Sequence, residues 1–254
     1  MNQYANQVII CGTRISNVSN AGAIDAIDGY IVGSTFEYVV TPNVDHIVRV
    51  QKDDEFKEVY GNASLVLPDE KPLLWVANFL GTPLEEKISG SDLFPQLCKL
   101  ASKKGYRLFF LGGKEGAAMK TAEIIKDTYP AVNISGVYCP PLGFENDYDE
   151  CQRIIEMIKA AKPDILFVGV GSPKQEKWIY KYKNEYKVPV SIGIGATFDF
   201  VSGMVKRAPK WMQKTGLEWF WRLMMEPKRL WRRYLVEDPV FFWFVLKQKL
   251  GLLK

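Results

Sequence analysis

The stretch "YRLFFLGGKEGAAMKTAEII", Tyr106 to Ile125, runs from an apolar segment through a glycine-rich turn into a piece with helical spacing. A strand apolar on both faces needs helices on each side, and glycines directly after it let the backbone turn sharply into the next helix. The same punctuation recurs. "FEYVVTPN" (36–43), "ASLVLPD" (63–69), "DILFVGVG" (164–171) and "PVSIGIGATF" (189–198) are apolar runs that often close on Gly, Pro, Asn or Asp. Pieces of helical length separate them, at about 84–104, 115–128, 147–162 and 173–186. The alternation predicts an α/β fold: a doubly wound, Rossmann-like parallel sheet.

Composition narrows the class. At 254 residues, 47% hydrophobic and 24% charged, the chain can bury a sizeable core, and neither disorder nor a fibrous class is favoured. Its four cysteines, Cys11, Cys98, Cys139 and Cys151, form no CxxC pair. With His46 as the sole imidazole, a Cys/His zinc site is not expected. A reduced, cytoplasmic protein fits this usage. The start, "MNQYANQVIICG", lacks the basic region and long apolar stretch of a signal peptide. "VFFWFVL" (Val240 to Leu246) falls well short of the roughly 20 residues that a spanning helix requires.

Charge and aromatic residues are unevenly placed. Residues 204–254 carry twelve Lys/Arg against four Asp/Glu, a local +8, so a net +4 leaves −4 for residues 1–203. Five of the seven tryptophans, Trp211, Trp219, Trp221, Trp231 and Trp243, lie in the same tail. The expected organisation is therefore an α/β catalytic domain over 1–203 and a helical, basic-aromatic appendage over 204–254.

Ligands of such sheets bind outside the carboxyl ends of the strands. Four ends and the residues after them look chemical. "TPN" offers Thr41 and Asn43 around Pro42, groups that suit a sugar or phosphate and equally an ordinary turn or helix cap. Asp69 ends the "SLVLPD" run beneath prolines, where desolvation raises a carboxyl pKa toward that of a general base, though a turn residue or helix cap fits the local sequence equally; Glu70 and Lys71 read as solvated loop charges. Gly112, Gly113 and Gly116 form a turn whose backbone N–H groups suit a diphosphate, though tight packing also explains them. The turn matches neither the dinucleotide fingerprint nor a Walker A loop. In "GVGSPKQEKWI", Gly169 and Gly171 allow close approach to the backbone, Ser172 can cap the next helix, and Gln175 and Glu176 project from its first turn. Thr197 and Asp199 follow the last run.

Two features are expected to be structural. Asp147-Tyr148-Asp149 has the D-x-D form of a metal-bound nucleotide-sugar site, but it stands directly before the helical "CQRIIEMIKAAK", where acids cap a helix. His46 follows "TPNVD" in an apparent helix and reads as packing.

Taken in order, "TPN", "LPDEKPLLWVANFLGTPLEEKISGSDL", "FFLGG", "GVGSPKQEKWI", "GIGATFDFVSG" and "RAPKWMQKTGLEWFWRLMMEPKRLWRRYL" resemble the bacterial WecG/TagA/CpsF-type glycosyltransferase family over about residues 36–236. That family includes the teichoic-acid linkage-unit N-acetylmannosaminyltransferase and several capsule and exopolysaccharide transferases. The resemblance implies inverting, metal-independent transfer from a UDP-sugar to a sugar on a polyprenyl diphosphate, without a cofactor, at the inner face of the cell membrane. It implies Asp69 as general base, with Thr41, Asn43, Lys87, Gln175 and Asp199 in the substrate pocket; the strand-end reading adds Gly112, Gly113, Gly169, Gly171 and Ser172. UDP-N-acetylmannosamine is the leading donor; another hexosyl donor such as UDP-glucose is the alternative. Two departures stand out: Asp69-Glu70 where members often have Asp-Gly, and Lys87-Ile88 where they often have Arg-Val. Lysine keeps the charge but loses arginine's bidentate fork.

The tail fits the same picture. Arg222, Arg229 and Arg233, spaced by seven and four, together with Lys228 and Arg232, offer cations to an anionic leaflet or to the lipid diphosphate. The tryptophans and Phe220 are interfacial anchors, and Pro227 divides the region into two helices. A core or subunit interface is the plainer use of these aromatics, and a homo-oligomer is compatible with either. Nucleic-acid binding through the tail would leave the acidic body unexplained, so no nucleic-acid partner is expected. A non-catalytic nucleotide-sugar binding module is the remaining alternative.

Overall fold

The computed structural model describes residues 7–253. Among the described residues eight strands occur, in chain order: β1 (Gln7–Ile10), β2 (Thr13–Ser16), β3 (Glu37–Val40), β4 (Leu65–Val66), β5 (Arg107–Gly112), β6 (Asn133–Tyr138), β7 (Ile165–Gly169) and β8 (Val190–Gly193). Helices are named below by their residues. The chain divides into two units: unit 1 takes the chain up to Ser19, Thr41–Ser89 and everything from Lys206, and unit 2 takes Asn20–Val40 and Gly90–Val205.

Unit 2 carries the expected α/β architecture. Five parallel strands lie in the order β3-β8-β7-β5-β6, flanked by helices that include Gly90–Lys104, Ala117–Thr128, Tyr148–Ala161 and Lys174–Tyr186. Every residue of β7 and β8 is buried, which accounts for the apolar sequence of β7; the one polar side chain of β8, Ser191, lies 2.9 Å from Tyr186 Oη. Phe110 and Phe167 are register partners on β5 and β7. Phe94 and Phe198 close around them, with ring centroids 4.8 to 5.9 Å apart in tilted and edge-on arrangements. Each fully buried aromatic of this kind stabilises the fold by about 1.5–3 kcal/mol.

Unit 1 is built differently. β1 and β2 form an antiparallel hairpin whose turn residues, Cys11 and Gly12, both have positive φ, as a two-residue hairpin loop with the native twist requires. The Val66 amide donates to Ser16 Oγ at 3.1 Å, tying β4 to β2. Around these lie Val44–Val50, Asp54–Gly61, Lys71–Leu80 and the short helices of the tail. Pro227 opens Pro227–Arg232 after Glu218–Met225 ends, so the tail does break into two helices there. The composition change at Met204 lies beside the point where the chain returns to unit 1, at Lys206.

Several local readings are corrected. The helix expected from 84 begins at Gly90, because residues 81–89 form an irregular segment after Gly81 closes Lys71–Leu80 in the left-handed region. The run 63–69 yields only a two-residue strand. The hairpin and the Asn20–Gly33 helix precede the first run read as a strand.

Candidate active site

In unit 1 the loop bearing Asp69 is held by main-chain bonds on both sides. The Asp69 amide donates to Pro42 O at 2.9 Å, and the Ile88 amide donates to Pro68 O at 2.8 Å. These two bonds bring "TPN", Asp69 and the Lys87-bearing segment together. Thr41 and Asn43 are buried. Asn43 caps Val44–Val50 by accepting from the His46 amide at 3.1 Å. Asp69 and Lys87 are half-buried.

Glu70 departs from expectation. It is not a solvated loop charge: burial raises its pKa, against the lowering effect of Arg233, Arg222 and a bond from the Val44 amide. Although Glu70 stands at the N-cap of Lys71–Leu80, its carboxylate does not cap that helix. Its carboxylate joins the Asp69 loop to Val44 and to the tail.

The tail residues fall into two groups. Lys228, Arg229 and Arg232 are exposed. Arg229 pairs with Glu226 at 2.5 Å and Arg232 with Glu237 at 3.1 Å, contacts worth little at a surface. Arg222 is half-buried. Arg233 turns inward, its side chain only 20% exposed, with guanidinium nitrogens 3.8 Å from both Asp45 and Asp238. Burial opposes its charge, but Asp45, Tyr234, Glu70 and Asp238 outweigh that and hold its pKa up. Burial drives the Asp238 carboxyl up to about 7 despite Arg233. Sequence reasoning missed Asp45, Glu70 and Asp238. The one available signal was the tail's positive excess, which a folded chain tends to meet with carboxylates drawn from elsewhere.

His46 is a core residue, as expected. Its Nδ1 lies 2.8 Å from Tyr60 Oη and its ring packs edge-on against Phe56 and Tyr60. Burial lowers its pKa from 6.5 to about 3, Arg233 and Arg49 adding to the effect and Asp45 opposing it. Because the folded pKa lies below the unfolded one, this group's stabilisation is complete above about pH 6.5 and is lost as pH falls from there toward 3. With one histidine in the chain, the ring carbon-proton signal in an NMR titration is expected to stay at its neutral position between pH 8 and 5. A midpoint near 6.5 would contradict the burial argument.

In unit 2 the ends of β5, β7 and β8 converge. Gly112 and Gly169 are register partners, and the Gly113 amide donates to Gly169 O at 2.9 Å. A Cβ on Gly169 would lie 2.8 Å from Phe198 and 2.9 Å from Gly195 O; one on Gly113 would lie 3.1 Å from Phe198. Neighbouring atoms fill the space at these glycines. Gly171, at φ +86, has open space where a side chain would be. Asp199 accepts from the Lys114 amide at 2.9 Å and so holds the loop after β5. Gln175 is buried, accepting from the Gly195 amide at 3.1 Å and donating to Glu176 at 2.7 Å. Ser172 does not cap the next helix: Pro173 takes the N-cap position, and the buried Ser172 Oγ has no hydrogen-bond partner.

The D-x-D segment is a helix start. Asp147 caps Tyr148–Ala161, accepting from the Glu150 amide at 3.1 Å. Among the described residues, no group of three or more His, Cys, Asp or Glu gathers at metal-ligand spacing. The four cysteines are free, and burial pushes the Cys11 thiol up to about 12.

Comparison with known proteins places this arrangement. The model of the WecG/TagA/CpsF family of glycosyl transferases matches residues 8–254. The chain is 34% identical over 213 residues to the N-acetylglucosaminyldiphosphoundecaprenol N-acetyl-beta-D-mannosaminyltransferase of Bacillus spizizenii, covering 84% of this chain and 79% of that protein. It is 32% identical to the protein of that name from Bacillus subtilis, covering 89% and 86%, and 26% identical to that from Staphylococcus aureus strain MW2, covering 96% and 93%. With an α/β unit of parallel strands and a family match over nearly its whole length, the chain belongs to the WecG/TagA/CpsF family of glycosyltransferases.

Proposed function

We propose that the chain transfers N-acetylmannosamine from UDP-N-acetylmannosamine to the N-acetylglucosamine of a polyprenyl-diphosphate-linked acceptor, with inversion and without a metal. The similarity to the two Bacillus transferases, above 30% identity over more than four fifths of this chain, carries the reading. Asp69 takes the proton of the acceptor hydroxyl, the oxygen forms a bond to the anomeric carbon, and the bond from that carbon to the diphosphate oxygen breaks as UDP leaves. Without a metal, backbone amides and cations must stabilise the charge that grows on the diphosphate. In unit 2 the glycine turns after β5 and β7 are the groups assigned to this, with Ser172, Gln175 and Asp199 near them; in unit 1 Lys87 is assigned to the same charge and Thr41 and Asn43 to the substrate.

The acceptor's lipid sets the location. Among the described residues no helix is long and apolar enough to cross a membrane. We assign residues 204–254 to peripheral attachment at the inner face of the membrane. Trp211, Phe220 and Trp231 are exposed in that segment, and so are Lys228, Arg229 and Arg232, the mixture of rings and cations that an anionic interface favours. An oligomer that covers these aromatics before the membrane is met is compatible with this role.

A panel of UDP-sugars, each assayed with and without EDTA, tests donor and metal together. UDP-N-acetylmannosamine is expected to give the fastest acceptor-dependent UDP release, unchanged by EDTA. Loss of turnover in EDTA restored by magnesium or manganese would overturn metal independence, and a faster UDP-glucose reaction would reassign the donor.

A further inference from the structure

The basic tail does not account for all the apolar surface of unit 1. Lys71–Leu80 buries Leu73, Leu74, Val76 and Ala77 but leaves Trp75 54% and Phe79 55% exposed, one turn apart on the opposite face. Val240–Lys249 likewise buries Phe241 and Val245 while Phe242, Trp243 and Leu246 are exposed. Lys249 joins the two helices, and Lys247 stays over a ring of its own helix. Lys249 Nζ donates to Phe79 O at 2.9 Å and lies 5.3 Å from the Phe79 ring centre, and Lys247 Nζ lies 5.3 Å from the Trp243 ring centre. Gln248 fastens the second helix to the hairpin, donating to Ile9 O at 2.7 Å and accepting from the Cys11 amide at 2.6 Å.

We propose that Lys71–Leu80 and Val240–Lys249 together form a second membrane-contacting face, with Trp75, Phe79, Phe242 and Trp243 entering the interface and Lys247 and Lys249 meeting anionic head groups. The inference rests on the reading that the acceptor is membrane-borne. It goes beyond the tail arginines, because Lys71–Leu80 lies outside residues 204–254 and begins directly after Asp69-Glu70.

The charge pattern selects a bilayer over a second copy of the chain. "KPLLWVANFL" and "VFFWFVLKQK" contain no Asp or Glu. Lysine is depleted from the cores of protein interfaces, whereas tryptophan and lysine together are favoured at a bilayer surface. Contact there would load the helix whose first turn follows the proposed base, so the surface that holds the lipid also steadies the loop that deprotonates its sugar.

Vesicles of equal parts phosphatidylglycerol and phosphatidylcholine supply the test, with the full chain sedimented or floated against them. Phe79→Glu and Phe242→Glu are each expected to weaken binding at least about tenfold, while Phe79→Trp binds as the native chain does. Melting temperature, and turnover of a short-chain acceptor in the absence of vesicles, are expected to stay unchanged; if either glutamate variant unfolds, Phe79→Ser replaces it. Unchanged vesicle binding by the Phe79 and Phe242 variants, with binding lost in Arg229→Ala/Arg232→Ala, would overturn this face and leave the tail as the anchor. A native chain that turns over acceptor but binds no vesicle would overturn the membrane reading with it. A change of oligomeric mass in Phe79→Glu without a change in vesicle binding would make the face an interface between copies instead.

Discussion

Asp69→Asn is expected to lower kcat about a thousandfold, within the 10²–10⁴ range of general-base catalysis, and to leave the donor KM within about threefold, since a base acts on the transition state more than on donor binding. The fold should tolerate the change, because the bonds that set this loop, Asp69 N–H to Pro42 O and Ile88 N–H to Pro68 O, are main-chain. The competing base is the neighbour. Burial raises the Glu70 carboxyl pKa, but the Val44 amide, Arg222 and Arg233 oppose that and hold its carboxylate. Steady-state kinetics of Asp69→Asn beside Glu70→Gln separate the two. The account predicts that Asp69→Asn is the deeper loss in kcat, with Glu70→Gln acting mainly on stability and on the order of the tail. A Glu70→Gln enzyme with the deeper kcat defect would move the base by one residue.

Gly112→Ala carries the largest expected cost in stability. Two penalties act together. Gly112 sits at φ +108, a backbone region essentially restricted to glycine, and a Cβ there would lie 2.7 Å from the Gly169 carbonyl carbon and 2.7 Å from Val170 Cγ1. The first obstacle is backbone of the adjacent central strand, paired in register with Gly112, and it cannot move without opening the sheet. Strain of about 1–3 kcal/mol and overpacking of similar size add to a loss of about 3 kcal/mol or more. Denaturant melts should show the midpoint falling at constant m-value. Gly171→Ala is the control: its φ is +86, but nothing lies within 4 Å of the added carbon, so only the backbone penalty applies. Equal losses in the two variants would show that packing against β7 contributes nothing.

Much of unit 2 was legible because its signals are local. A buried parallel strand writes an apolar run, and its exit writes glycine; β5 and β7 do both, and β8 does so apart from Ser191. Asp147 as a cap and His46 as packing were likewise readable, since capping is decided within three or four residues and a lone imidazole in an apolar helix has few other uses. What escaped was non-local. Glu70 looks like any loop glutamate until the tail folds Arg222 and Arg233 toward it, and nothing in the string links Asp45 to Arg233. The glycines were half read: the turn was correctly placed, but neighbouring atoms fill the space at Gly112, Gly113 and Gly169, a matter of ångströms in three dimensions. Trp75 and Phe79 carry no sequence mark of exposure, because Lys71–Leu80 reads as an apolar helix and only the packing shows which face is left open.

The measurement that bears most directly on the transferase reading is UDP release from UDP-N-acetylmannosamine, with and without a polyprenyl-diphosphate-linked N-acetylglucosamine, with the anomeric configuration of the product read by NMR. The account predicts release that depends on the acceptor, is lost in Asp69→Asn, and yields the β-linked disaccharide with inversion from the α-linked donor. Acceptor-independent release, or a product that retains the donor's configuration, would contradict it.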